Sequence, residues 1–266
     1  MAIEKRSPGE LIDELGITQP DEIDVEAIAA YCGAFVVFAP LGNADARIVG
    51  SGTKAVITIN SNSASARQRF SIGHELGHWM WDRGKMAFSC SAELQDRRWS
   101  GADKETLANK FASELLMPSA MFRERASRRS AMLETVSDLA NQFQASLTAT
   151  AIRFVEHGSF PCMVVFHSPS GREWFFGSKE VDGKLWPHKQ LDEYSFAHDL
   201  LSGKIKGPRI SGLVDADTWI NHPHAGQYDL FESSVLISAD RTLTLLWWKN
   251  ETMIAGNYSA LRGCTF

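Results

Sequence analysis

The chain has 266 residues, with 27 Lys and Arg against 32 Asp and Glu, and a formal net charge of −5. That length suits one large domain or two small ones with ample core. The acidic balance gives no reason to expect wholesale binding to nucleic acid or to a membrane surface. The opening Met1-Ala2-Ile3-Glu4-Lys5-Arg6 lacks an apolar segment, so no signal peptide is expected, and no run reaches the roughly eighteen apolar residues of a membrane span. Cys32, Cys90, Cys162 and Cys264 are far apart and form no C-x-x-C pair, which reads as reduced thiols of a cytoplasmic protein.

In chain order, helices are expected over 8–15 and 21–32, the second apolar at Ile23, Ile28, Ala29 and Cys32. Ala34 to Phe38 reads as a strand, and Asp45–Gly50 with Lys54–Asn60 as a hairpin around Ser51-Gly52. Asn60 to Ser63 is a candidate N-cap cluster for a helix running through Arg67 to Trp81. An irregular stretch is expected over 83–102, with a loop insertion at Arg97-Arg98-Trp99-Ser100-Gly101. A helix then runs from Glu105 to Pro118, where proline ends it. Two helices follow, near 131–143 and 147–157. From Pro161 the character changes, and 162–166, 173–176, 233–237 and 242–248 read as strands. The fold class is therefore α+β, with domains expected at 1–158 and 159–266 and the boundary at Gly158-Ser159-Phe160-Pro161.

The sharpest motif is His74-Glu75-Leu76-Gly77-His78. On a helix, residues four apart leave the same face, so both imidazoles can reach one metal ion. Glu75 adjoins the first of them, where a carboxylate can take a proton from an attacking water. Ile72, Leu76, Trp79 and Met80 form one apolar side, and Phe70, Gly73, Gly77 and Trp81 flank the histidines on the other. A helix apolar on both sides is buried, and polar groups inside it need partners, which a metal supplies.

A hydrolytic zinc site has three protein ligands. Glu105, Ala108, Asn109 and Ala112 share one face of the next helix. Ala108 and Ala112 are small, like Gly73 and Gly77, so the two helices can approach closely. Glu105 is the choice for third ligand, with Asn109 one turn on to orient it. Cys90 ranks below Glu105 because it lacks a helical frame. Glu114 points elsewhere and is expected to be solvated.

The run Arg69 to His78, followed by Glu105 to Pro118, resembles the ImmA/IrrE metallo-endopeptidases. Ile23–Ala29 resembles that family's early helix and Gly50–Asn60 the strand before its active-site helix, so the resemblance covers roughly residues 8 to 155. It implies a zincin-like core with His74, His78 and Glu105 as ligands of zinc (or manganese) and Glu75 as catalytic base. It also implies a substrate class: helix-turn-helix repressors of the Xre type, cut once to relieve repression in a stress or mobile-element response. No separate helix-turn-helix domain is read ahead of the peptidase.

Other features invite other functions. Val136–Phe143 and Leu147–Phe154 have helix-turn-helix rhythm, but 134–157 carries Glu134, Asp138 and Glu156 against Arg153 alone, a net of −2. Reader helices bring cations to phosphates, so a packing pair is favoured over direct DNA binding. Arg123, Arg125, Arg128 and Arg129 with Glu124 make a local net of +3, read as a solvated face. His222-Pro223-His224 reads as plain loop rather than a second metal site. Trp174, Trp186, Trp219, Trp247 and Trp248 read as core, or as the lining of a ligand pocket in a sensor domain. Lys54–Asn60 is a candidate for pairing with extended substrate by β-addition. The competing function is a regulator that holds metal without turnover, or binds DNA, beside a repressor partner.

Overall fold

The computed structural model describes residues 5–82, 87–91 and 104–248, with backbone alone for 82 and 87–91. Cys264, the side chain of Cys90 and the segment Arg97–Gly101 lie outside the described residues. By internal contacts the chain divides into two compact units, Met1–Glu124 with Ala140–Ser146, and Arg125–Leu139 with Leu147–Phe266. The arrangement is α+β: a helix-rich N-terminal region followed by a mostly β-sheet C-terminal region.

Helix α1 (Pro8–Glu14) starts at a capping box, in which Ser7 and Glu10 satisfy each other's backbone N–H groups. Helix α2 covers only Val25–Tyr31, shorter than expected. Asp24 is the reason, because its carboxylate accepts from the N–H groups of Glu26 and Ala27 and sets the helix start there. Pro20–Glu22 forms a separate 3-10 turn.

Strands β1 (Ala34–Ala39), β2 (Ala44–Ser51), β3 (Lys54–Asn60) and β4 (Ala87–Ser91) form a sheet in the order β1-β3-β2-β4. The expected hairpin is present, turning at Gly52 with φ +59, where a side chain would be strained. β1 joins β3 in parallel. β4 lies inside the stretch expected to be irregular; it fills the free edge of β2 in antiparallel pairing. β3 is flanked on both sides, so its backbone has no edge left for an added strand, and the β-addition expected there is corrected. On the sheet's inner face Ala46, Ile48, Ala55, Ile57 and Ile59 are buried, while Val49 and Val56 of the other face are exposed. Helix α3 (Ser65–Asp82) packs on the sheet, and α4 (Lys104–Leu116) packs on α3. The Asn60–Ser63 cluster turns the chain before α3, whose first residue is Ser65.

Helices α5 (Ser119–Ala126), α6 (Leu133–Phe143) and α7 (Leu147–His157) follow. α7 packs on β5 (Cys162–Ser168) and β6 (Gly171–Gly177). Its Arg153 is buried and paired with Glu156, so the pair's one cation does not face solvent. Helix α8 (Phe196–Leu201) and strand β7 (Arg209–Asp215) precede β8 (Asp229–Ser238) and β9 (Arg241–Trp247). The second sheet is antiparallel throughout, in the order β6-β5-β9-β8-β7. Trp219 and Trp248 lie in its core with Met163, Val165 and Leu246. Trp174 stacks on Phe166, whereas Trp186 is exposed. Among the described residues no helix is long and apolar enough to cross a membrane.

Candidate metal centre

Helix α3 is anchored by the apolar side read from its sequence. Ile72, Leu76, Trp79 and Met80 are all buried. Each such side chain is worth about 1.5–3 kcal/mol of transfer free energy, so the helix is held firmly against the sheet. Trp79 fixes its rotation. Its ring lies over Gly50 of β2, where any Cβ would strike it, and its indole N–H donates to the Cys32 carbonyl at 2.9 Å. Trp81, expected beside the histidines in the interior, is exposed instead.

The opposite side of α3 meets α4 with almost no side chain between. A Cβ on Gly73 would lie 3.2 Å from the Cα of Ala112, and one on Gly77 would lie 3.0 Å from the Cα of Ala108. The pairs 73–112 and 77–108 run in opposite senses, so the helices are antiparallel. This close approach brings Glu105, near the start of α4, level with His78 and His74.

The three side chains converge. His74 Nε2 and His78 Nε2 are 3.0 Å apart. Glu105 places Oε2 at 3.2 Å from the first and Oε1 at 3.3 Å from the second. Metal–ligand bonds of about 2.0–2.1 Å in a tetrahedral site put neighbouring ligand atoms about 3.3 Å apart. The triangle therefore has the size of one face of a zinc tetrahedron, and two imidazoles with one carboxylate are donors that zinc accepts. Among the described residues this is the one group of three His, Cys, Asp or Glu side chains close enough to share an ion. His222 and His224 gain no third ligand of that kind, as expected of loop residues.

His74 suits that role electrically. Burial, then the neighbouring His78, lowers the His74 imidazole to about 4, so it offers a lone pair at neutral pH. Its other nitrogen, Nδ1, lies 2.9 Å from Asn109 Oδ1. Asn109 was expected to orient Glu105; its hydrogen bond runs instead across the helix interface to His74. Glu75 is wholly buried beside the first histidine. Glu114, expected to be solvated, accepts from the Ser119 N–H at 2.8 Å and the Ser119 hydroxyl at 2.7 Å. It caps the start of α5, a role the Ser-Ala run after Pro118 could have signalled. Sequence reasoning also missed Gly50; a glycine inside a strand was the only signal.

Residues 29–155 match the Peptidase_M78 family, described as the IrrE N-terminal-like domain. Over that region the chain is similar to a peptidase family, which supports a hydrolytic role. No curated protein matches the chain in sequence. A solved structure named as a Mycobacterium tuberculosis transcriptional regulator is similar over 91% of this chain and 75% of its own, with a TM-score of 0.59 and 13% identity. At that identity the likeness concerns the fold.

Proposed function

We propose that the chain is a zinc-dependent endopeptidase that cuts an Xre-type helix-turn-helix repressor at one site and so relieves repression. The observation that carries this is the convergence of His74, His78 and Glu105 within 4.8 Å of one another, on two helices of a region matching a peptidase family. In this reading His74 and His78 ligate through Nε2 and Glu105 through its carboxylate. A bound zinc ion supplies Lewis acidity that polarises the scissile carbonyl and acidifies water. Glu75 takes the proton from the attacking water and passes it to the leaving amine, so one peptide bond and one water become a carboxylate and an amine. We further propose that the catalytic part ends near residue 158, that the C-terminal part serves regulation or substrate docking, and that the protein works in the cytoplasm.

The test is direct. Zinc-loaded full-length chain is incubated with the Xre-type repressor encoded beside it, and the fragments are mapped by mass. One cut is expected, abolished by Glu75→Gln with zinc retained. General digestion of casein without preference for the repressor would defeat the substrate assignment while leaving the chemistry standing.

A further inference from the structure

One contact to the ligand triangle from outside it runs between His74 and Asn109. An amide oxygen can only accept, so at 2.9 Å the shared proton sits on His74 Nδ1. A neutral imidazole carries one N–H. With that proton on Nδ1, Nε2 holds the lone pair, and Nε2 is the atom that faces His78 and Glu105. The same helix supplies both parts, since Asn109 follows Glu105 by one turn of α4. The 73–112 and 77–108 contacts fix that helix against α3, so the backbone that carries Asn109 is held close to His74.

We propose that Asn109 is a positioning residue: it holds His74 in the tautomer and ring orientation that aim Nε2 at the metal. This rests on the zinc reading above. Free neutral histidine divides between two tautomers and rotates about its ring bond, so a ligand without such a partner spends part of its time unable to bind. Outer hydrogen bonds of this kind typically change metal affinity by about 10–100-fold. Asparagine does this without adding charge, whereas a carboxylate at 109 would be a third acid beside Glu75 and Glu105.

The zinc affinity of the full-length chain is measured by competition with a chromophoric chelator for wild type, Asn109→Leu and Asn109→Asp. Leucine keeps the volume and removes the acceptor; aspartate restores it. The expected result is about 10-fold or greater loss for Asn109→Leu and wild-type or tighter binding for Asn109→Asp. Equal affinity in Asn109→Leu, or equal losses in both variants, overturns the proposal while the zinc site stands. A wild type that takes up no zinc overturns the zinc reading itself, and this proposal with it. Should the leucine variant fail to fold, ¹⁵N–¹H spectra of the histidine rings in zinc-loaded wild type decide instead. His74 is expected to show its proton on Nδ1 with slow solvent exchange, and a proton on Nε2 overturns the assignment.

Discussion

Two buried polar clusters, one in each unit, solve the same problem in opposite ways. In the first unit, the atoms that meet are imidazole nitrogens and carboxylate oxygens, which carry lone pairs when the histidines are neutral. In the second, the Glu232 carboxylate is fully buried and surrounded by donors, whereas Glu105 of the first is partly exposed. The N–H groups of Phe196 and Ala197 reach it at 3.1 and 2.7 Å, Trp219 Nε1 at 2.7 Å and the Ser234 hydroxyl at 2.7 Å. Burial raises the Glu232 carboxyl above its ordinary range, and the four donors act against that rise. A carboxylate among donors is complete as it stands and needs nothing further. Acceptors gathered among acceptors call for a cation from outside the chain. Burial alone therefore does not distinguish a site from a structural feature; the balance of donors and acceptors does.

The largest expected effect comes from breaking the first cluster. His74→Ala or His78→Ala should take bound zinc from about one per chain to nearly none, while Glu75→Gln should leave it unchanged; metal analysis of the purified proteins reads both. Undiminished zinc in both histidine variants would place the metal elsewhere. Next comes the second cluster. Glu232→Ala leaves buried donors without an acceptor and should cost about 3 kcal/mol or more in urea denaturation, with zinc per folded chain unaltered. A cost below about 1 kcal/mol would mean that water replaces the carboxylate and that the cluster is not closed.

The first cluster was legible in the sequence and the second was not, for a physical reason. His74, His78 and Glu105 sit on two long helices, where i, i+4 spacing fixes direction, and the glycine and alanine pairs announce the close approach. The direction of Asn109 was harder, because its neighbours along α4 and across the interface are equally near in spacing alone. Glu232 takes two of its four donors from residues 35 and 36 positions away, at the start of a six-residue helix. So short a helix has too few residues to show a period, and β7, Arg-Ile-Ser-Gly-Leu-Val-Asp, is broken by its glycine. β4 was missed because its order comes from the free edge of β2, a tertiary fact. The long strands β5 and β9 were read because apolar β-formers dominate them, and Trp219 could be suspected of burial but not placed.

A subtler change sharpens the comparison from the packing side. Gly77→Ala sets a methyl 3.0 Å from the Ala108 Cα and 3.1 Å from the Phe111 Cβ, both of which are part of or attached to backbone. Overpacking of this kind costs about 1–3 kcal/mol, against a gain of about 1 kcal/mol in helix propensity. The net stability change should be small, yet zinc affinity should fall, because α4 must move and Glu105 moves with it. Gly73→Ala, with its nearest neighbour at 3.2 Å, should show the same effect more weakly. Chelator competition reads the order; unchanged affinity in Gly77→Ala would show that the ligand triangle tolerates the displacement.

The smallest expected effect tests whether the second unit's interior is as self-sufficient as Glu232 suggests. His167 of β5 is 1% exposed, edge-on to Trp219 at 5.6 Å between ring centroids and opposite Thr242 of β9. Burial first, then the charge of Arg172, lowers its imidazole to about 4, with a backbone interaction with His188 acting the other way. An unfolded chain binds this proton near pH 6.5, whereas the native state refuses it until about pH 4. Between those values the unfolded state holds more protons, so stability rises with pH and is lost as the pH falls through that window. Above pH 6.5 the contribution is fully present. At pH 5.5 the loss from this one group is about 1 kcal/mol, taking 1.36 kcal/mol per pH unit. Unlike Glu232, then, this buried group opposes folding in acid rather than supporting it. Urea denaturation of wild type and His167→Gln at pH 7.5 and 5.5 isolates the effect, because subtracting the two curves removes the remaining histidines. The variant should lose less stability than wild type between these pH values. Equal losses would mean that His167 accepts a proton in the folded protein, and that the interior around Trp219 is wetter than its burial implies.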